Sequence, residues 1–256
     1  MNKRDIRRDT RGILDPRELM TRVKFRRAAA AAALRPYVEH YWLIGWDLAE
    51  PYEQHVLPHP CVNIVFQRYG DEFFAETAGV GVELFSIKLH GTGSVAGVQF
   101  RPGGFRPFYG RPVSELTGLR VPIENPPDIL GADPAAALDA YLLGLNPQPD
   151  PQADLAMELA DAIRQDRAVS RVDRFAESRG LSVRALQRIF SDYVGVSPKW
   201  VVLRYRIQEA IELAGPDVNW AALAAELGYS DQAHLVRDFT ATIGVSPAAY
   251  GVQRAR

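Results

Sequence analysis

Two clusters of side chains in the last third of the chain have the chemistry to read nucleobases. Arg184, Gln187 and Arg188 stand three and four residues apart, the spacing of one helix face. Gln232, Val236 and Arg237 form a second face of similar chemistry further on. An arginine donates a fork of two hydrogen bonds to guanine and a glutamine pairs with adenine, so either face suits a major groove. Charge alone would fit a solvated helix surface equally well.

The elements that would carry these faces form an internal repeat. Ala176, Gly180 and Ser182 recur as Ala224, Gly228 and Ser230 at an offset of 48, and Leu186, Arg188, Phe190 and the run 195–198 (GVSP) recur at an offset of 49. Each copy has the parts of a helix-turn-helix. A small alanine allows a close crossing, a glycine ends the first helix in a left-handed cap, and Ser182 or Ser230-Asp231 caps the second. Leu186, Ile189, Phe190 and Tyr193, or Leu235, Phe239 and Ile243, give it a buried face. Gly195 and Gly244 stop the second helices, and Ser-Pro then starts the next. A helical solenoid is the competing explanation of such a repeat, but two copies are fewer than the ~3 a solenoid needs. Between the copies, 198 to about 214 reads as one rod.

Other candidates lie before residue 150. Trp42, Trp46, Tyr52, Phe66, Phe100, Phe105, Phe108 and Tyr109 are aromatic enough to line a small-molecule pocket, although core filling explains any single one of them. Trp42, Trp46, His55, Phe100 and Phe105 are the effector-binding candidates. His55, His59 and Cys61 are metal-ligating types, but Pro58 and Pro60 impose a turn and no further ligand at a diagnostic spacing completes a set. No metal, cofactor or catalytic residue is expected. The glycine-rich loop 101–106 (RPGGFR) reads as a tight turn with solvated arginines rather than an anion site.

Stretches 41–46, 62–66, 84–89 and 95–100 are short, apolar and bounded by turn residues, so residues 37–109 predict a β-barrel or sandwich. A helix is expected from Pro134 to Leu143, capped by Asp133. Prolines 147, 149 and 151 mark a linker over 146–152, and after it the apolar period turns helical (Leu155, Leu159, Ile163). The expected organisation is a basic tail over 1–27, solvated and mobile, a β-rich sensor or dimerisation domain over 28–145, the linker, and an all-helical domain over 153–256.

Composition bounds the function. A chain that is 47% hydrophobic and 24% charged is globular, which excludes wholesale disorder. The longest purely apolar run, 28–34, is far short of the ~20 residues of a membrane helix. The N-terminus is basic without an apolar core, so no secretory signal is read there. A single cysteine fits a reducing cytoplasm and excludes a multi-cysteine zinc site. The net charge of −1 conceals +6 over 1–27, −7 over 28–150 and +5 within 179–206, where six bases face one acid, Asp192. That last segment is a candidate anion-binding face.

Residues 153–251 resemble the AraC/XylS family of bacterial transcription regulators, most closely over 227–250 (LGYSDQAHLVRDFTATIGVSPAAY). Gly251 departs from the family, which commonly has arginine there, and so lacks a phosphate contact. The resemblance implies that Arg184, Gln187 and Arg188 read bases in the first unit and Gln232, Ala233, Val236 and Arg237 in the second, the last set including apolar contacts to thymine methyls. Segments 41–42, 57–58, 62–66 and 97–104 are similar to a sensor domain of one subgroup, which implies a cupin-like barrel.

The expectation is therefore a two-domain α+β protein, a mostly-β cupin-like barrel followed by two helix-turn-helix units joined by a long helix. It would act as a sequence-specific DNA-binding transcription regulator and not as an enzyme. Its partners would be double-stranded promoter DNA, a small-molecule effector, a second copy, and RNA polymerase if it activates. No membrane partner is expected. The alternative is a cupin-like metal-dependent enzyme fused to a helical module.

Overall fold

The computed structural model describes residues 12–167 and 169–255. The N-terminal half is built on one antiparallel sheet of β1 (Lys24–Ala28), β2 (Val38–Val56), β3 (Asn63–Tyr69), β4 (Glu72–Ala78), β5 (Phe85–Phe100) and β6 (Arg120–Pro122), in the order β1-β2-β5-β3-β4-β6. Strand side chains alternate between faces, and the alternation divides the sheet between two cores. Tyr41, Leu43, Ile64, Phe66, Ala96, Val98 and Phe100 face outward and pack with Leu138 and Leu142 of helix Pro134–Gly144. Asp139 of that helix accepts hydrogen bonds from Tyr41 Oη at 2.7 Å and the Ala31 N–H at 2.8 Å, which pins it to the sheet. Trp42, Ile44, Trp46, Val65, Leu89 and Val95 face inward. Phe25 and Arg27 of β1 and Arg120 of β6 line the same inner cavity, so the sheet is rolled into a cup even though its two end strands pair with different neighbours.

The basic stretch expected as a free tail is largely built in. Asp15 accepts from the Glu18 N–H at 3.0 Å and caps helix Pro16–Arg22, and 24–28 pair with β2. Alternation explains it: Phe25 and Arg27 point into the cup while Lys24 and Arg26 stay exposed. The tail residues 1–11 lie outside the described residues.

No strand follows residue 151 among the described residues, as the sequence predicts. The helical domain has two cores and one rod through both. Leu159, Phe175, Leu186 and Phe190 close around Val201 and Val202 of the connecting helix Pro198–Leu213. Trp220, Leu223, Leu235 and Phe239 close around Ile207, Ala210 and Ile211 of the same helix. Because one helix supplies both cores, the two units cannot turn independently without opening one of them. Among the described residues no helix is long and apolar enough to cross a membrane.

Candidate nucleic-acid interface and inner cavity

Each helical unit folds by the same local rules. In the first, helix Val172–Ser178 ends at Gly180 with φ 65°, Ser182 accepts from the Ala185 N–H at 3.1 Å, and helix Val183–Ile189 begins. In the second, helix Trp220–Glu226 ends at Gly228 with φ 73°, Asp231 accepts from the His234 N–H at 2.7 Å, and helix Gln232–Ile243 begins. The reading helix of the first unit continues through a π-helical turn, Phe190–Val194, to a left-handed Gly195 with φ 93°, and that of the second stops at Gly244 with φ 86°. The bond from the His234 N–H is the main reason the Asp231 carboxyl is held below the usual carboxylate range.

Arg184, Gln187 and Arg188 are all exposed and make no hydrogen bond or ion pair with any described residue. Gln232, Ala233 and Arg237 are exposed on the second helix and Val236 is half-buried beside them. The +5 segment is a smaller anion face than its composition implies. Arg204 is buried, donating to the Val82 carbonyl at 3.4 Å and lying 4.4 Å from the Trp200 ring centre. Arg206 turns to the Val169 carbonyl at 3.1 Å. The exposed bases of the segment are Arg179, Arg184, Arg188 and Lys199.

The cup encloses a cavity of about 250 Å³. Its floor comes from a repeated cross-strand pair. Trp42 lies opposite Gly97 and Trp46 opposite Gly93. A Cβ at either glycine would fall 2.1 Å from the facing indole, so only glycine lets the rings lie across the strand. The Trp42 Nε1–H donates to Asn63 Oδ1 at 3.3 Å, and the Trp46 Nε1–H to the His90 carbonyl at 3.2 Å. Arg27, His40, His59, Cys61 and Gln99 add polar lining that the sequence did not single out as a group. Burial, then the positive charge of Arg27, lowers the His40 imidazole to about 3, so it is neutral at pH 7. Burial pushes the Cys61 thiol up to about 12, which leaves it unreactive.

Of the five effector candidates, Trp42 and Trp46 line this cavity and three do not. Phe100 and Phe105 lie in the outer core, ring centres 5.0 Å apart, because Phe100 takes the outward position beside Gln99. His55 points away from the cup and hydrogen-bonds Ser86 Oγ at 2.7 Å, while its neighbours Gln54 and Val56 take the inward positions. Among the described residues no three His, Cys, Asp or Glu side chains come together to hold a metal ion.

Two loops of the cup touch the helical domain. Leu57 lines the cavity and also packs with Ile207, Leu223 and Tyr250 in the second unit's core. Gly79 and Gly81 line the cavity, while Val80 between them is buried in the first unit's core. His59 meets Tyr205 of the connecting helix edge-on at 5.8 Å. Polar links reinforce this contact: Arg101 to Asp161 at 2.5 Å, Arg164 to Glu39 at 3.2 Å, and Thr117 Oγ1 to the Gly195 carbonyl at 2.5 Å.

Comparison with known proteins bears on both halves. Residues 175–253 match the family described as "Helix-turn-helix domain", and residues 26–122 match "Domain of unknown function (DUF6597)". No curated protein matched the chain. Among solved structures, the C-terminal domain of AraT, a response regulator from Geobacillus stearothermophilus, is 22% identical. The match covers 39% of this chain and 84% of that one, with a TM-score of 0.36. ToxT from Vibrio cholerae O395 is 10% identical over 83% of this chain and 96% of its own, TM-score 0.45. Wild-type ToxT from Vibrio cholerae strain SCE256, bound to an unsaturated fatty acid, is 11% identical over 89% and 93%, TM-score 0.39. The chain thus joins a segment matching DUF6597, over 26–122, to a helix-turn-helix domain over 175–253.

Proposed function

We propose that the chain is a sequence-specific transcription regulator that reads DNA with two helices held on one rod. Arg184, Gln187 and Arg188 contact base edges from the first unit, and Gln232, Ala233, Val236 and Arg237 from the second. The observation that carries the reading is the unpartnered, exposed Arg–Gln–Arg face on a helix that Ser182 caps at its start and that runs through a π-helical turn, Phe190–Val194, to a left-handed Gly195. The connecting helix of 16 residues is about 24 Å long at 1.5 Å per residue. That is in range for two helices entering successive major grooves about 34 Å apart. The cup is the sensory half: its cavity takes a small effector, and its loops pass occupancy to the rod. A second copy and RNA polymerase are the further partners of such a regulator, which acts in the cytoplasm.

In-vitro selection of bound duplexes from a random pool tests the reading. The expected result is a bipartite site, with Arg188→Ala relaxing base preference at one position. Equal weakening on every sequence would remove Arg188 from base reading, and no retention on DNA at moderate salt would remove the function.

A further inference from the structure

We infer that Arg206 is a positioning residue for DNA reading: it fixes the second helix-turn-helix unit against the first and so sets the spacing between the two halves of the DNA site. The inference rests on the two-helix reading proposed above.

Each unit grips the connecting helix through its own core. On one side of that helix the units also meet directly. The chain that leaves helix Pro151–Gln165 passes the turn of the second unit, where a Cβ at Gly228 would lie 3.7 Å from the Arg167 carbonyl. Arg206, half-buried on the connecting helix, stands at this meeting point. Its Nη2 donates to the Val169 carbonyl at 3.1 Å, and its guanidinium lies 5.4 Å from the Tyr229 ring centre. Val169 packs against the first unit's core and Tyr229 is buried in the second's. One side chain therefore touches both units.

The local chemistry suits arginine. A planar guanidinium can lie against a ring and still donate in a fixed direction, which a lysine ammonium does not reproduce. Gly228 leaves the room: a Cβ there would fall 3.1 Å from Arg206 Nη2, and its φ of 73° is the left-handed turn that ends helix Trp220–Glu226. Arg167 adds a second tie. Its Nη1 donates to Glu226 Oε1 at 2.6 Å in the second unit, and its Nη2 to Glu209 on the connecting helix. Arg167 and Glu226 are exposed, so water screens this tie and it is the weaker of the two.

The held turn aims the reading helix. Tyr229 comes three residues before helix Gln232–Ile243, so fixing it against Val169 fixes where that helix points relative to Val183–Ile189. One added base pair moves a half-site by about 3.4 Å and turns it by about 35°. A clamped pair of units cannot follow that turn.

Gel retardation of the full chain on its selected site, and on the same site with one base pair added or removed between the halves, tests this. The unaltered chain should prefer the selected spacing about tenfold or more. Arg206→Ala should lose most of that preference and keep the base preferences within each half. Glu226→Gln should lose less. Pulsed spin-label distances, between nitroxides at the exposed positions of Glu177→Cys and Ala221→Cys, need no DNA. One narrow distance should broaden in Arg206→Ala. An unchanged spacing preference or an unchanged distance distribution overturns the proposal. Should Arg206→Ala fail to fold, Arg206→Lys is read in the same way. A chain that retains no DNA removes the regulator reading, and the label distances then decide the clamp by themselves.

Discussion

The two helix-turn-helix units share a backbone and differ in almost everything that backbone presents. Both turn at a left-handed glycine, both cap the second helix with a side-chain oxygen, and both bury one phenylalanine completely, Phe190 or Phe239. The first presents two arginines on helix Val183–Ile189 with no acid in it. The second offsets Arg237 with Asp231 at its cap and Asp238 one residue on. Surroundings differ too. A Cβ at Gly195 would meet Val113 Cγ1 at 3.0 Å and Thr117 Oγ1 at 3.1 Å, because the β-rich domain is docked there, whereas Gly244 has nothing within 4 Å. A folding rule can thus be copied while the surface it carries diverges, the first unit more basic and in contact with the β-rich domain, the second with acids beside its arginine.

The comparison can be broken at four points. Phe190→Ala and Phe239→Ala should each cost about 3–5 kcal/mol in denaturant unfolding; costs that differ by more than about 2 kcal/mol would deny that the cores are equivalent. Gly195→Ala and Gly244→Ala should each cost about 1–2 kcal/mol for a left-handed alanine. Gly195→Ala should lose roughly 1 kcal/mol more by crowding Val113, and equal melting shifts would contradict the docked geometry. Arg188→Ala should weaken binding to the selected DNA site by about 1–3 kcal/mol, with Arg237→Ala having the smaller effect; the reverse order would make the second unit dominant.

The smallest effect lies in the caps. Ser182 caps without a charge, so protection of the Ala185 amide from exchange should not follow the cap through acid. Asp231 has a lowered carboxyl pKa in the folded state, so its contribution is complete above the ordinary carboxylate value of 3.8 and disappears as pH falls through the folded value. Protection of the His234 amide should fall over that window, and Asp231→Ala should abolish the change. A flat profile at His234 would show that the cap works without its charge.

The helical half was legible because its signals are local. Glycine, Ser-Pro and the 3.6-residue period each act within one turn of chain, so residues 153–251 could be read in order. The cup was less so. β4 (EFFAETA) contains glutamates and alanines that favour helix, and becomes a strand because β3 and β6 pair with it on either side. β1 looked like part of a charged tail until β2 gave it a partner. Aromatic content marked Trp42, Trp46 and Phe100 alike, and only the face of the strand separates them. A usable signal was present: Trp42 and Trp46 are four apart, as are Gly93 and Gly97, the spacing an antiparallel indole–glycine pairing requires. Arg204 and Arg206 counted as surface charge because nothing on their own helix shows that the loop at Val82 and the chain at Val169 come down on them.

Leu57 is a partition common to two compartments. It lines the cavity and is also part of the buried cluster that holds Ile207 and Leu223. Close-packed interiors transmit strain instead of absorbing it, and Pro58 and Pro60 leave the next stretch of chain little freedom to buckle. A change in the volume of the cup at Leu57 would therefore bear on the second unit's core by direct displacement, with no relay of charges or protons in between.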